Sequence, residues 1–390
     1  MKKLLLATAL LVSFGKASEL KNLLNDNYNT LFDLELQKSF SESKYNSLSW
    51  ISPVMLTFQH KWDTQVPGTT RPFNSYSISI NQPIFKSGGI YYGIKFAKSN
   101  YNLGKANTIK QKNALIAKAV ELLFKIKQTK LTIAKLKTQI ANSKIEIKSR
   151  DELYNAGISD SVDLDRALAK KDEAEIAMLD MQANLEELKG AFAKISNKNP
   201  NRLRVPKLRM VSKSKYIGSN VDIDVANASA RAQDYATKMV RSKYLPTVSI
   251  GASYTKVSKA QPFTRDKFAN YSLTVSMPLS VNVGNDLETA KLKSMIAKVK
   301  AKTTRKDSEQ DYKTINKKIV IINRRIALAN REARIYKRLL KSTTNLYKAG
   351  QKSINDVKIL KNSLKIKRLD AQIFSVQKQL ELLKLYAKMR

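Results

Sequence analysis

The sequence predicts a mainly α fold with a small β part, in which one long helical hairpin and one β-hairpin each occur twice. Three observations carry this. Apolar positions step by four and three in turn through Leu115, Ala119, Leu122, Ile126, Thr129, Ile133, Leu136, Ile140, Ser143 and Ile147. A seam repeating every ~3.5 residues belongs to helices that pack side by side and supercoil. The rhythm returns as Ile315, Ile319, Ile322, Ile326, Ala329, Ala333, Tyr336, Leu340, Thr343 and Tyr347. Both copies run into one stop, Leu153-Tyr154-Asn155-Ala156-Gly157 and Leu346-Tyr347-Lys348-Ala349-Gly350, whose glycines lie 193 positions apart.

At the N-terminus, Lys2 and Lys3 precede the apolar run Leu4 to Phe14, and Gly15-Lys16-Ala17 offers small residues for cleavage. That layout predicts a secretory signal peptide over residues 1–17. A spanning helix needs ~20 apolar residues. This run is shorter and nothing later qualifies, so export without a transmembrane helix is expected. The chain has no cysteine, which excludes disulfides, thiolate metal sites and an acylated N-terminal cysteine.

A first structural repeat is expected over residues 18–197. It opens with an amphipathic helix from Glu19 to Phe40, carrying Leu20, Leu23, Leu24, Leu31, Leu34 and Leu36. The period then changes to two. Val54, Leu56, Phe58, His60 and Trp62 alternate with Met55, Thr57, Gln59 and Lys61, a strand pattern. A loop with Pro67, Gly68 and Pro72 follows, then a strand with Tyr76, Ile78 and Ile80 on one side and Ser75, Ser77, Ser79 and Asn81 on the other. Pro83 should end it, giving a β-hairpin over about 52–82. A helical hairpin over about 90–195 comes next, its first arm reaching Asn155, ~100 Å at 1.5 Å per residue. Gly157 suits a helix C-terminus, and Ser159 or Ser161 can cap the return helix. Residues 198–220, with Pro200, Pro206 and Gly218, read as a connector with little regular structure.

The second repeat, 221–390, follows the same plan. A helix over Val221 to Lys243 leads into strands at about 246–279, where Tyr271-Ser272-Leu273-Thr274-Val275-Ser276-Met277-Pro278-Leu279 parallels Tyr76-Ser77-Ile78-Ser79-Ile80-Asn81-Gln82-Pro83-Ile84. A long helical hairpin over about 286–389 closes the chain.

Lys plus Arg is 71 against 32 for Asp plus Glu, a formal net charge of +39. Such a balance raises nucleic acid and anionic surfaces as partners. From Lys98 to Lys148, however, the basic residues are spread along the helix, whereas nucleic-acid footprints are clustered patches. They coat helix faces that the seam leaves free, and no nucleic-acid partner is expected; an exported or soluble basic coiled-coil scaffold binding an anionic polymer is the alternative reading of the charge. No cluster of His or carboxylates has ligand spacing, and no phosphate loop or nucleophile motif occurs, so neither an enzyme, a metal site nor a cofactor is expected. His60, the only histidine, falls on the apolar side of a strand.

The strands decide the class. No amphipathic helix is left to cover a soluble sheet, and the polar strand faces are rich in small hydroxyls, as in strands lining a water-filled lumen. Alternating segments with aromatics near their ends fit an outer-membrane barrel; Trp50, Trp62, Phe73, Phe85, Tyr254, Phe263, Phe268 and Tyr271 are the candidate interface aromatics. Four strands cannot close a barrel, and open edges are not tolerated in lipid. Several chains must each supply a sector.

The tips Tyr154-Asn155-Ala156-Gly157-Ile158-Ser159-Asp160-Ser161-Val162-Asp163-Leu164 and Tyr347-Lys348-Ala349-Gly350-Gln351-Lys352-Ser353-Ile354-Asn355-Asp356-Val357, with Arg241-Ser242-Lys243-Tyr244-Leu245-Pro246-Thr247-Val248-Ser249 before the second hairpin, resemble the TolC family of outer-membrane efflux channels. The resemblance implies a homotrimer whose twelve-stranded β-barrel lies among outer-membrane lipid and continues as an α-helical barrel across the periplasm. It implies a passive exit duct for a tripartite efflux pump or a type I secretion system, partnered by a periplasmic adaptor and an inner-membrane pump of RND or ABC type. It further implies adaptor docking at the tips, around Tyr154, Gly157, Asp163, Tyr347 and Gly350. Asp356 matches the first acidic ring of the family's periplasmic aperture; the second ring position is Ile359 here, and Lys352 stands beside them. An N-terminal role in its helix is the other reading of Asp356.

Overall fold

The computed structural model describes residues 23–63, 71–158, 160–258 and 265–390. The expected signal peptide, the loop holding Pro67 and Gly68, Ser159 and Phe263 lie outside these residues. The described chain runs α1 (Asp26–Leu48), β1 (Met55–Asp63), β2 (Arg71–Phe85), α2 (Gly89–Asn155), α3 (Ser161–Ala193), α4 (Lys213–Gly218), α5 (Val221–Ser242), β3 (Thr247–Val257), β4 (Lys267–Ser276), α6 (Val283–Lys348) and α7 (Ile354–Tyr386). The duplicated plan is therefore present. The long arms α2 and α6 have 67 and 66 residues.

Three boundaries differ from expectation for local physical reasons. α1 begins at Asp26, not Glu19, because Asn25 caps it, its side-chain oxygen accepting from the Tyr28 N–H at 3.0 Å. The preceding Leu23 and Leu24 are buried outside the helix, while Leu31 and Leu34 lie exposed on it. β2 runs through both Pro72 and Pro83. The β1–β2 ladder ends at Ser79 and the β2–β3 ladder starts at Ser75, so each proline sits where the strand has one neighbour. There a residue without an N–H is tolerated. The connector is ordered by α4, whose cap Ser212 accepts from the Lys215 N–H and whose Tyr216 is fully buried.

By contacts the chain forms two compact units that do not follow the repeats. One takes residues through Phe32, 109–221 and 306–390; the other takes 33–108 and 222–305. In the first, the seam is covered: Ala119, Leu122, Ile126, Thr129, Ile133, Ile140 and Ser143 are buried, as are Ile315, Ile319, Ile322 and Ala329. Its core adds Phe192, Ile195, Leu208, Val211, Leu382 and Leu385. The connector and the C-terminal end are tied together at this core. Tyr386 and Tyr312 hydroxyls donate to the carbonyls of Arg209 and Val211 at 3.0 and 2.8 Å. The Leu208 N–H donates to the Gln379 side chain, and the Val221 N–H to the Lys388 carbonyl at 2.8 Å.

In the second unit, small residues let helices approach closely. Ala97 and Ala290 are buried, the Ser43 hydroxyl donates to the Ala97 carbonyl at 3.1 Å, and the Thr237 hydroxyl to the Ala290 carbonyl at 2.9 Å. Asp234 on α5 receives both Lys238 and Lys298 at 2.9 and 3.0 Å. The Lys238 hydrogen bond leads in holding the Asp234 carboxyl below its ordinary range. The sheet belongs to this unit, with strand order β1-β2-β3-β4, all neighbours antiparallel.

Candidate functional site: a two-faced sheet and two hairpin tips

Opposed residues in an antiparallel ladder share a face, so the registers sort the side chains across the whole sheet. Leu56 pairs with Ile78, Ile78 with Tyr254, Ile80 with Ala252, Ala252 with Tyr271, Ile250 with Leu273 and Val248 with Val275. These residues make one continuous apolar face. The other face carries Thr57, Ser77 and Thr255 in one row, Ser79, Ser253 and Asn270 in another, and Gly251 with Ser272. The apolar face is open: Leu56 is 79%, Tyr271 83% and Leu273 71% exposed. Since among the described residues β1 and β4 each have one neighbour, the sheet also presents two edges unpaired there.

The registers divide the expected aromatics between the two faces. Trp62, Phe85, Tyr254 and Tyr271 fall on the apolar face. Phe73 pairs with Lys61 and Phe268 with Thr255, which puts both on the polar face. Position near a strand end could not reveal this; alternation counted from the paired residue does. Trp50 precedes β1, its carbonyl accepting from the Gln82 side-chain amide at 3.1 Å. His60 stacks edge-on against Trp62 at 4.6 Å and is hydrogen-bonded to Asn74. Among the described residues no group of His and carboxylates could hold a metal ion, and no helix is long and apolar enough to cross a membrane.

The two tips share one geometry. After α2, the Gly157 N–H donates to the Tyr154 carbonyl and the Ile158 N–H to the Leu153 carbonyl, both at 2.9 Å. After α6, the Gly350 and Gln351 N–H groups make the same bonds to Tyr347 and Leu346. This is the paired closure of a helix end around a left-handed residue. Gly157 and Gly350 have φ of +71° and +74°, and a Cβ at either would meet nothing within 4 Å, so backbone conformation alone selects glycine. Tyr154, Ile158, Tyr347 and Ile354 are exposed around the tips.

Capping differs between the tips. Asp160, rather than Ser161, caps α3, accepting from the Asp163 N–H at 3.2 Å. Asp163 pairs with Arg150 at 3.3 Å across the hairpin. Asp356 closes a reciprocal capping box with Ser353 at α7, accepting from the Ser353 N–H at 3.0 Å while the Ser353 hydroxyl accepts from the Asp356 N–H. The bond from the Ser353 backbone leads, followed by its hydroxyl and the Lys352 charge, in holding the Asp356 carboxyl below its ordinary range. Ile359 is half-buried one turn on, and Lys352 is exposed with no ion pair among the described residues.

Long helical hairpins together with a four-stranded sheet that has one apolar and one hydroxyl-bearing face make a TolC-like fold. Comparison with solved structures agrees. The outer-membrane protein VceC of Vibrio cholerae superposes with a TM-score of 0.75 at 13% identity, covering 94% of both chains. The CmeC outer-membrane channel of Campylobacter jejuni gives 0.73 at 15%, covering 94% of this chain and 84% of its own. The open MtrE channel of Neisseria gonorrhoeae gives 0.72 at 16%, with 94% and 87% covered. No protein-family model and no curated protein matches the sequence. The fold expected from the tips and strands is thus the fold present.

Proposed function

We propose that the chain is one third of a passive exit duct in the outer membrane, serving a tripartite efflux pump or a type I secretion system and performing no catalysis. The observation that carries this is the sheet. Its apolar side chains share one open face, its serine and threonine side chains share the other, and among the described residues both edges are unpaired. In lipid such edges must pair, and three copies supply the twelve strands of a closed barrel. The helical hairpins continue the duct into the periplasm. The exposed apolar residues at the tips suit a periplasmic adaptor, which would join the duct to an inner-membrane pump. Asp356 stands at a tip where three-fold symmetry would bring three carboxylates together.

The test is expression in a Gram-negative host followed by fractionation and bilayer recording. Heat-resistant trimers in the outer membrane with discrete conductance steps are expected. Recovery of a soluble, stably folded monomer would defeat the proposal.

A further inference from the structure

We propose that a cavity at the junction of sheet and helices binds the phosphate headgroup of an anionic phospholipid, one per protomer. The inference rests on the exit-duct reading, which sets the apolar sheet face in lipid. The cavity, about 350 Å³, lies where α1, α2 and α5 meet the strands. That is within the size range of ligand pockets, ~300–1,000 Å³. Lys86 follows β2 and Lys243 precedes β3, so both lysines line the cavity at the end of the sheet where the strands join the helices. The Ser87 hydroxyl donates to the Pro246 carbonyl at 2.6 Å, tying the two junctions together.

The cavity's chemistry selects its ligand. No carboxylate lines it, and neither lysine has a hydrogen bond or ion pair from its ammonium among the described residues. The first turn of α2 opens onto the cavity without an acidic residue, although the C-terminal ends of α1 and α5, at Asn46 and Ser242, also line it. Asn46 and Ser49 supply neutral polar groups, and Trp50 the kind of amphipathic ring that collects at membrane interfaces. Two cations with no carboxylate in the lining attract a phosphodiester and repel a headgroup bearing its own ammonium. Phosphatidylglycerol therefore fits better than phosphatidylethanolamine.

Native mass spectrometry of the full chain, purified in mild detergent, tests this with each lipid added in turn. One phosphatidylglycerol per protomer is expected, resisting competition by inorganic phosphate. The double variant Lys86→Gln, Lys243→Gln should bind it ~30-fold more weakly, from about fivefold per cation at a membrane surface. Gly93→Leu is the second variant: Gly93 lines the cavity and a Cβ there meets nothing within 4 Å, so the added side chain starts into open space. It should also abolish binding while helicity is kept. Unchanged phosphatidylglycerol occupancy in both variants would overturn the proposal, as would equal retention of phosphatidylethanolamine or displacement by inorganic phosphate. Fractionation of the same strains separates the two readings. Outer-membrane trimers with residue-independent lipid binding sink only the headgroup site, whereas absence of trimers sinks the duct.

Discussion

Leu273→Arg asks the sheet which solvent its apolar face meets. Leu273 is 71% exposed in the single chain and flanked on its face by Tyr271 and Val275, with Ile250 as its cross-strand partner. If that face meets water, the substitution removes little buried area and changes stability by no more than ~0.5 kcal/mol, as for surface positions generally. If it meets hydrocarbon, an arginine near the midplane of a barrel's lipid face costs ~2–4 kcal/mol. At ~1.4 kcal/mol per decade, that is ~30- to 1,000-fold in the folding equilibrium for each protomer. Thr274→Arg, the next residue and on the opposite face, is the internal control; a lumen position should tolerate it. The assay is urea unfolding of the protein reconstituted in phospholipid vesicles, followed by tryptophan fluorescence and by the loss of the heat-resistant band. A large loss for Leu273→Arg and a small one for Thr274→Arg is expected. Equal losses, or none for either, would refute the assignment of faces.

Other outcomes follow from the tips and the core. Gly157→Ala and Gly350→Ala should each destabilise their hairpin by ~1–2 kcal/mol, the penalty of a Cβ in the left-handed region, seen as faster amide exchange at that tip. Asp356 has a folded pKa held below its unfolded value of ~3.9, so its stabilisation is complete above that pH and is lost as pH falls through the folded pKa. The Asp356→Asn deficit at the tip should accordingly be full at neutral pH and vanish in acid, as measured by thermal unfolding across a pH series. Tyr386→Phe leaves the Arg209 carbonyl without the tyrosine hydroxyl and should cost ~1–3 kcal/mol, read as a lowered midpoint of thermal unfolding.

Much of the fold was legible because its dominant signals are periodic. The seam located α2 and α6 to within a few residues, and the Tyr-x-Ala-Gly stops located both tips, since a left-handed residue ends a helix wherever it falls. Signals that depend on partners far along the chain were not legible. α4 and its neighbours are ordered by Tyr386, Gln379 and Tyr312, none of which is near them in sequence. Pro72 reads as loop and Pro83 as a strand stop because a proline's cost in a sheet depends on how many neighbours the strand has at that point, which only the register reveals. Register also decided the faces of Phe73 and Phe268. The start of α1 was misplaced because Leu23 and Leu24 are buried by tertiary contact, with the Asn25 N–H held by the Ile195 carbonyl, and not by a helical face.

Closure of the sheet edge to edge between copies can be read directly, because the chain has no cysteine to confuse a disulfide reporter. β1 and β4 are three strand spacings apart within one sheet, ~14 Å at ~4.8 Å each, and a disulfide needs Cα atoms within ~7 Å. A Thr57→Cys, Thr274→Cys chain, with Ser272→Cys and Asn270→Cys in place of Thr274→Cys to cover the register, can therefore bridge only to a neighbouring copy. Oxidation in isolated outer membranes should give at least one pair that locks into covalent trimers and nothing larger. Monomers at every register, or a ladder running past three, would contradict a three-chain barrel.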